Sequence, residues 1–264
     1  EVVMLAHLLG DGCFASRQPV HYTSADPENL AAVERAAAHF GITPRRVVQG
    51  NWAHVYLPSP HHLTHGRHNP LQEWLGRFGL AGRRSHEKFV PGEVFGLPRE
   101  QVALFLRHLW ATDGCVHLGR GRQARVYYAS TSRRLVDEVQ ALLLRFGVVG
   151  RIKRSQKGDH RPSWQLHLYG TENQLRFLEH VGVHGARGEL AKRVIAYLGG
   201  LRPNPNVDTI PVEVWSAVRS SMAARGVTAR GLAAGLGTAY CGSTLYRHAP
   251  GRRRLAAVAT LLED

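Results

Sequence analysis

Two aspartates occupy matching places in the chain, in surroundings that suit metal chemistry better than helix stability. Asp11 closes the apolar run 4–10 and Asp113 closes the largely apolar run 106–112, and Gly-Cys follows each aspartate. Such a run makes a helix of about two to three turns. Each carboxylate then lies at a helix C-terminus, where the helix dipole disfavours negative charge. A bound divalent cation would offset that cost.

The small residues of these runs predict how the two helices pack. Gly12 and Gly114 are natural residues for ending a helix. Ala6 and Gly10 are four residues apart and share a helix face, so a second helix can approach closely along that face. If the two runs pair in this way, the aspartates lie side by side and can hold divalent ions against scissile phosphates.

The chain around the two aspartates is repeated once. A single Asp-Gly after an apolar run is usually only a helix end, but a duplicated one in a repeated, basic chain favours a site. The matching segments, in the same order in both halves, are 4–13 with 106–115, Tyr22–Ser24 with Tyr128–Ser130, 40–42 with 146–148, 78–82 with 181–185, and 88–95 with 208–215.

Hydrophobic periodicity predicts the same elements in each half. Apolar residues keep helical spacing in 30–40 and 135–146, each followed by glycine, and they alternate with polar residues in 53–57 and 164–168. Helical spacing returns in 71–78. The sequence therefore predicts a duplicated α+β architecture, with two halves of the form αββαββα.

The charge balance predicts a polyanionic partner. The chain has 34 Lys and Arg against 20 Asp and Glu, a formal net charge of +14, and 16 His. An acidic membrane is the competing polyanion, but no stretch approaches the roughly 18 apolar residues of a spanning helix and no signal-peptide pattern opens the chain. We expect a soluble intracellular protein without a membrane partner.

The repeated Asp-Gly helices resemble the paired signature helices of LAGLIDADG, or dodecapeptide, homing endonucleases. The segment 5–12 is similar to the version carried by inteins, and 105–114 to inteins of bacterial replicative DNA helicases. The resemblance covers nearly all of 1–215. It implies a monomer with internal pseudo-twofold symmetry that binds double-stranded DNA on saddle-shaped sheets, in the bacterial cytoplasm near the nucleoid. The domains expected are repeats 1–100 and 101–200, a linker 201–209, and a helical DNA-binding domain 210–264.

The resemblance also implies the chemistry. It implies Mg²⁺-dependent double-strand cleavage that leaves 3′ extensions, with Mn²⁺ able to replace Mg²⁺ and Ca²⁺ supporting binding without cleavage. Lys88, in Lys-Phe-Val-Pro, resembles the block that supplies an active-site lysine, so Lys88 is the candidate for polarising the attacking water or the phosphate. The metal ligands implied are Asp11, Asp113, Gly10 and Thr112.

The sequence departs from the family pattern in two places. His108 and Thr112 stand where small residues are usual, so the second helix packs less closely or pairs asymmetrically. Asp208 stands at the repeat position of the lysine; either Lys153 or Lys192 substitutes, or the two DNA strands are cut unequally. Splicing blocks of an intein are not recognisable, so self-splicing is not expected.

The strand segments carry residues suited to groove contact, although a solvated basic face is the alternative. Arg and Gln can read purine edges, whereas Lys mostly meets phosphate. The groove candidates are Arg45, Arg46, His54, Tyr56, Arg125, Tyr127, Arg151, Lys153, Gln165 and His167. The candidates for contacts with the DNA backbone lie in loops: Arg17, Arg120, Arg122, Arg154 and Lys157.

The C-terminal segment 210–264 differs in composition, with seven Arg, three acids and no Lys. The segment 228–237 resembles the first half of a helix-turn-helix, and a weaker second helix is expected near 243–247. Arg230 and Arg247 are its candidate DNA contacts. A helical bundle that only packs is the alternative. The helices predicted here are 214–224, 228–236 and 252–262.

Two other functions are compatible with the same fold. One is a cleavage-dead DNA-binding module, and the other is an RNA-binding splicing helper. The presence of both aspartates favours the enzyme over the first alternative.

Overall fold

The computed structural model describes residues 1–15, 18–120, 123–201 and 209–263. They belong to two compact units, Glu1–Leu201 and Arg202–Asp264. The sequence interpretations of Arg17, Arg122, Asp208 and linker residues 202–208 fall outside the described residues. Within the described ranges, no helix has the length and apolar character needed to cross a bilayer.

The first unit is α+β and contains the same seven elements twice, in the predicted order αββαββα. The first set is α1 (Val2–Asp11), β1 (Gly12–Cys13), β2 (His21–Ser24), α2 (Pro27–Ala37), β3 (Arg45–Gln49), β4 (Trp52–Tyr56) and α3 (Pro70–Arg77), and the short helix α4 (Gly92–Phe95) follows. The second set is α5 (Arg99–Asp113), β5 (Gly114–Leu118), β6 (Ala124–Ser130), α6 (Arg133–Leu144), β7 (Gly150–Ser155), β8 (Ser163–Leu168) and α7 (Thr171–His180), and α8 (Ala186–Gly199) follows.

Equivalent helices begin and end for the same local reasons in both halves. The side chain of Asp26 accepts the backbone N–H of Glu28 at the start of α2, and that of Ser132 accepts the N–H of Leu135 at the start of α6. Beyond these helices Gly41 and Gly147 have φ of 65° and 64°, a left-handed conformation that glycine adopts without strain. These helix stops are therefore as predicted.

Each half folds its four strands into an antiparallel sheet, with the orders β1-β2-β4-β3 and β5-β6-β8-β7. Alternation along the strands sends one face towards the helices. In the first sheet Tyr22 pairs with Val55, and in the second Tyr128 pairs with Leu166, all of them buried. The opposite face of each sheet is left for polar and aromatic side chains.

The two halves pack against each other through α1 and α5. Leu8 and Leu9 of α1, and Phe105 and Leu109 of α5, are almost completely buried in one continuous core. Burial of each such side chain contributes about 1.5–3 kcal/mol. The helices that carry the aspartates are thus also the centre of the fold, which restricts how far those carboxylates can move.

The unit Arg202–Asp264 is helical where it is described. Its elements are α9 (Val214–Ala224), α10 (Ala229–Gly235), a 3₁₀ helix (Gly242–Arg247) and α11 (Arg252–Leu262). Trp215, Met222 and Val258 belong to a separate small core. The expected second helix near 243–247 is this 3₁₀ segment, opened by Gly242 with φ of 61°. The helix-turn-helix stays a prediction.

Candidate active site and nucleic-acid interface

The two aspartates lie at equivalent helix ends. α1 ends at Asp11 and α5 at Asp113, and the next residues, Gly12 and Gly114, both have φ of −82° with extended ψ. Both helices therefore end before a glycine, as expected, and neither glycine has a left-handed φ. Glycine is required for space, because a Cβ at either position would collide with the carbonyl oxygen of the preceding helical turn.

The helices cross asymmetrically, as the sequence departures suggest. The side chain of Thr112 occupies the space that a Cβ on Gly10 would need, and its hydroxyl donates to the Leu109 carbonyl at 2.6 Å. A small residue on one helix thus accommodates the larger one on the other. The close approach expected from Gly10 is present.

A buried histidine seam joins the helices further from the aspartates. The His7 Nε2 and His108 Nδ1 atoms are 2.9 Å apart, and His7 Nδ1 lies 3.0 Å from the Tyr22 hydroxyl. The ring of His184 lies 4.2 Å from that of His108. Burial, together with neighbouring positive groups, lowers the pKa of His7 to about 2 and that of His108 to about 3. His7 and His108 are therefore neutral at pH 7.

The aspartate carboxylates are near each other and poorly compensated. The pKa of Asp11 is raised to about 7, mainly by loss of hydration and also by the negative charge of Asp113. Asp113 reaches solvent, yet the surrounding protein displaces enough of its water to raise its pKa also. In the described part of the chain, neither carboxylate accepts a hydrogen bond or forms an ion pair. This pairing of unbonded carboxylates fits a divalent cation.

The other predicted ligands have hydrogen-bond partners within the protein. The Gly10 carbonyl accepts from Lys88 at 3.0 Å, and the Thr112 hydroxyl donates to the Leu109 carbonyl. Among the described residues there is no group of three or more His, Cys, Asp and Glu side chains that could hold a metal. A metal held by Asp11 and Asp113 would therefore need phosphate and water oxygens to complete its coordination.

Lys88 lies at this centre, but its orientation differs from that expected of a water-polarising lysine. Its Nζ donates to the carbonyls of Leu8 at 2.9 Å, Gly10 at 3.0 Å and Gly12 at 2.8 Å, which uses all the donors of an ammonium group. Burial lowers the pKa of Lys88 to about 8, although both aspartates act in the opposite direction. Lys88 thus binds the C-terminal end of α1, where the dipole favours a cation.

The second sheet places all its groove candidates on the face away from the helices. Arg151, Tyr127 and His167 are opposite one another, and so are Lys153 and Gln165. Rings of Tyr127 and His167 lie 5.1 Å apart, and Lys153 Nζ lies 5.4 Å from the Tyr169 ring. This face also borders an open cavity of about 570 Å³. The candidates on this face are Arg125, Tyr127, Arg151, Lys153, Gln165 and His167. Of these, Arg125, Tyr127, Gln165 and His167 line the cavity.

The first sheet places only some of its candidates on that outer face. Arg45 pairs with Tyr56, and His54 is two residues before Tyr56 on the same strand. The prediction that Arg46 contacts the groove is corrected. Arg46 pairs with buried Val55, and its guanidinium binds the Glu34 carboxylate at 2.7 and 2.6 Å. Consecutive strand residues face opposite sides, a signal that would have separated Arg45 from Arg46 in the sequence. The same rule adds His21, opposite Tyr56.

The remaining described candidates are exposed side chains. Arg120, Arg154 and Lys157 are exposed. In the C-terminal unit Arg230 lies 5.4 Å from the ring centre of Tyr240, and Arg247 closes the 3₁₀ helix.

Sequence reasoning missed two side chains at the end of α5. Arg187 and Asn29 both donate to the Ala111 carbonyl. Nothing in the repeat pattern singles them out, because they come from α8 and α2 and only the fold brings them to this helix end.

Comparison with known proteins agrees with this architecture. Residues 100–182 match the family model described as a LAGLIDADG-like domain, and the first half repeats that domain's element order and its Asp-Gly helix end. Residues 100–182 therefore form a LAGLIDADG-like domain.

Among curated relatives, the chain is 41% identical over 267 residues to the replicative DNA helicase DnaB of Rhodothermus marinus, with 98% of this chain and 28% of that protein covered. It is 38% identical over 272 residues to the DnaB helicase of Synechocystis sp., with 100% and 31% covered. The chain thus spans about a third of these relatives. A structure of I-DmoI in complex with DNA and Mn is 11% identical, with a TM-score of 0.48, over 69% of this chain and 96% of that one.

Proposed function

We propose that this chain is a site-specific DNA endonuclease of intein origin, acting as a monomer on a long double-stranded target. The observation that carries the proposal is the pair of Asp-Gly helix ends at the contact between the two repeats, with both carboxylates left without hydrogen bonds in the described residues. Such an arrangement is costly for stability, and a bound cation would repay that cost.

The outer faces of the two sheets support a DNA partner. They carry Arg45, Arg151 and Lys153 together with aromatic rings and amide groups. Arginine and glutamine side chains can read base edges, while lysine meets phosphate. The formal net charge of +14 would favour association with a polyanion at any sequence. We therefore place the groove contacts on these two faces.

The chemistry proposed is Mg²⁺-dependent hydrolysis of one phosphodiester bond in each strand, leaving 3′ extensions. Asp11 and Asp113 would hold the metal. When bound, the cation would supply a hydroxide nucleophile and stabilise the leaving oxygen. The role of the protein is to fix the carboxylates at the centre of the α1 and α5 contact, and Lys88 supplies positive charge there while holding the end of α1.

We also propose that residues 210–264 extend the DNA footprint. The segment has seven Arg and three acids, and Arg230 and Arg247 are its proposed contacts. Each phosphate contact adds about 0.9 to the slope of log affinity against log salt. A version ending near Leu201 should bind with a flatter slope and cut at the same position. Identical footprints and slopes would reduce this unit to a structural bundle.

The experiment that tests the activity uses a randomised duplex DNA library. The full chain is incubated with the library and Mg²⁺, and the cut ends are sequenced; a single motif with 3′ extensions is expected. The control is the variant with Asp11→Asn and Asp113→Asn, which should recover no cut ends. Binding of a DNA motif without cutting would identify the cleavage-dead module, and preference for structured RNA over duplex DNA would identify the splicing helper.

A further inference from the structure

The second repeat has no lysine at the repeat position of Lys88, and neither lysine considered from the sequence takes its place. Lys192 is exposed on α8 and donates to the Glu189 carboxylate at 2.7 Å. Lys153 lies on the outer face of β7, above the Tyr169 ring. Neither of these contacts involves the end of α5.

Arg187 is the cation that lies at that end. It stands in the first turn of α8 and donates from Nη1 to the carbonyl of Ala111, two residues before Asp113. The side-chain amide of Asn29 donates to the same oxygen at 3.2 Å. The guanidinium thus binds the last turn of α5, much as Lys88 binds the last turn of α1.

The backbone that carries Arg187 is held by the first repeat. The Ala186 N–H donates to the Asp26 carboxylate at 2.7 Å, and a Cβ on Gly185, whose φ is 72°, would collide with that carboxylate. The Gly188 N–H donates to the Gly185 carbonyl at 2.8 Å. These contacts fix the start of α8 and therefore the direction in which Arg187 leaves it.

The charge of Arg187 acts on both aspartates. It lowers the pKa of Asp11 and that of Asp113, against the stronger effect of burial. Lys88 acts in the same direction but has spent its N–H donors on backbone carbonyls. In the described residues Arg187 makes one hydrogen bond, so its planar guanidinium retains donors in the geometry that suits a phosphate.

We propose that Arg187 is the second cationic group of this centre: it stabilises the aspartate pair from the side of the second repeat and binds the scissile phosphate of one DNA strand. The phosphate role rests on the proposed endonuclease function. The stabilising role does not, because it concerns only groups within the chain. Two experiments separate these roles.

The first experiment needs neither metal nor cleavage. Thermal unfolding is measured in EDTA at low salt for the full chain and for Arg187→Met, each with the native aspartates and with Asp11→Asn plus Asp113→Asn. Arg187→Met should lower Tm by about 3 °C with the native aspartates and by less than half of that when both are Asn. The hydrogen bond to Ala111 is lost in both backgrounds and cancels. Equal losses would overturn the stabilising role.

The second experiment uses a supercoiled plasmid that carries the motif recovered from the randomised library, with Mg²⁺. The Arg187→Met variant should cut one strand on the order of a hundredfold more slowly than the wild type, so nicked circles should accumulate. The slowed strand should be the one whose cleavage is not slowed by Lys88→Ala. Arg187→Lys should restore part of the rate. Lys192→Met, on the same helix, should cut as the wild type does.

The outcomes distinguish the two proposals. If Arg187→Met converts the plasmid to linear DNA at the wild-type rate, the phosphate role of Arg187 is wrong and the endonuclease function stands. If the wild type cuts no DNA, the phosphate role falls with the proposed function. The measurement in EDTA then still decides whether Arg187 stabilises the aspartates.

Discussion

The two repeats hold the same backbone at their aspartates by different side chains. α1 and α5 end with the same glycine conformation. The final carbonyls of α1 accept from Lys88, whereas the Ala111 carbonyl of α5 accepts from Arg187 and Asn29. The backbone depends on close approach at glycine, which tolerates no substitution, while any well-placed donor can satisfy a carbonyl. Duplicated halves can therefore diverge in their polar groups and retain their geometry.

The tyrosines next to the aspartates differ in the same way. Tyr22 has His7 as a hydrogen-bond partner, but at the repeat position of His7 the second half has Leu109. The hydroxyl of Tyr128 is consequently buried without a partner in the described part of the chain. The first half is thus better satisfied in its polar interior, and the two halves should not contribute equally to stability or cleavage.

The aspartates are where the repeats should behave alike, and the largest effect is expected there. Asp11→Asn or Asp113→Asn should each slow double-strand cleavage by more than about a hundredfold, because each removes a metal-binding charge and little surface. DNA binding in Ca²⁺ should change by less than about threefold. Cleavage time courses and gel-shift titrations measure both, with the exposed Asp137→Asn as control. Normal cutting by either variant would refute the assignment.

Substitution of Lys88 tests whether the two halves contribute unequally to stability and cleavage. Lys88→Ala should lower the free energy of unfolding by about 3 kcal/mol, because three carbonyls lose a charged donor inside the protein. It should also slow one DNA strand preferentially. Urea unfolding and a plasmid time course measure the two effects, and exposed Lys192→Ala is the control. Unchanged stability, or direct conversion to linear DNA with no nicked intermediate, would contradict this role.

The histidine seam predicts acid sensitivity that arises where the halves meet. Because the pKa values of His7 and His108 are lowered from 6.5 to about 2 and about 3 in the folded chain, the unfolded chain binds more protons below pH 6.5. The seam is therefore fully stabilising above pH 6.5 and loses that contribution as pH falls towards 3. Asp11 has the opposite effect: because its pKa is raised, its contribution to the free energy of unfolding increases as pH falls through about 7.

A paired comparison removes the contribution of Asp11. Between pH 8 and pH 5, the wild type should lose about 4 kcal/mol more in free energy of unfolding than a variant with His7→Leu and His108→Leu, about 2 kcal/mol for each histidine. Urea titrations at both pH values measure this, with exposed His62→Leu as control. Equal pH dependence of the variant and the wild type would show that the seam does not titrate on unfolding.

The smallest expected effect is on DNA binding, and it distinguishes the two faces of strand β3. Arg45→Ala should reduce the salt slope of DNA binding by about 0.9, since Arg45 lies on the outer face beside Tyr56. Arg46→Ala should leave the slope unchanged, because Glu34 holds Arg46 on the other face. Binding titrations over a range of salt concentrations distinguish them. Equal slopes for the two variants would contradict the assignment of the faces.

Local patterns in the sequence determined the elements and the pair of aspartates. Helical spacing with Gly41 and Gly147 as stops, and alternation at 53–57, required only neighbouring residues. The repeat itself placed Asp11 and Asp113 at equivalent helix ends. Binary patterning works here because helix and strand periods are properties of the local backbone.

The tertiary structure decided which donors surround those helix ends. Arg187 and Asn29 reach Ala111 from elements far away in sequence, and Lys88 turns towards carbonyls that a motif does not reveal. The Asp11 pKa of about 7 likewise depends on burial and on the other half. Such properties arise from contacts between segments brought together only by the packed core, so no local pattern in the chain encodes them.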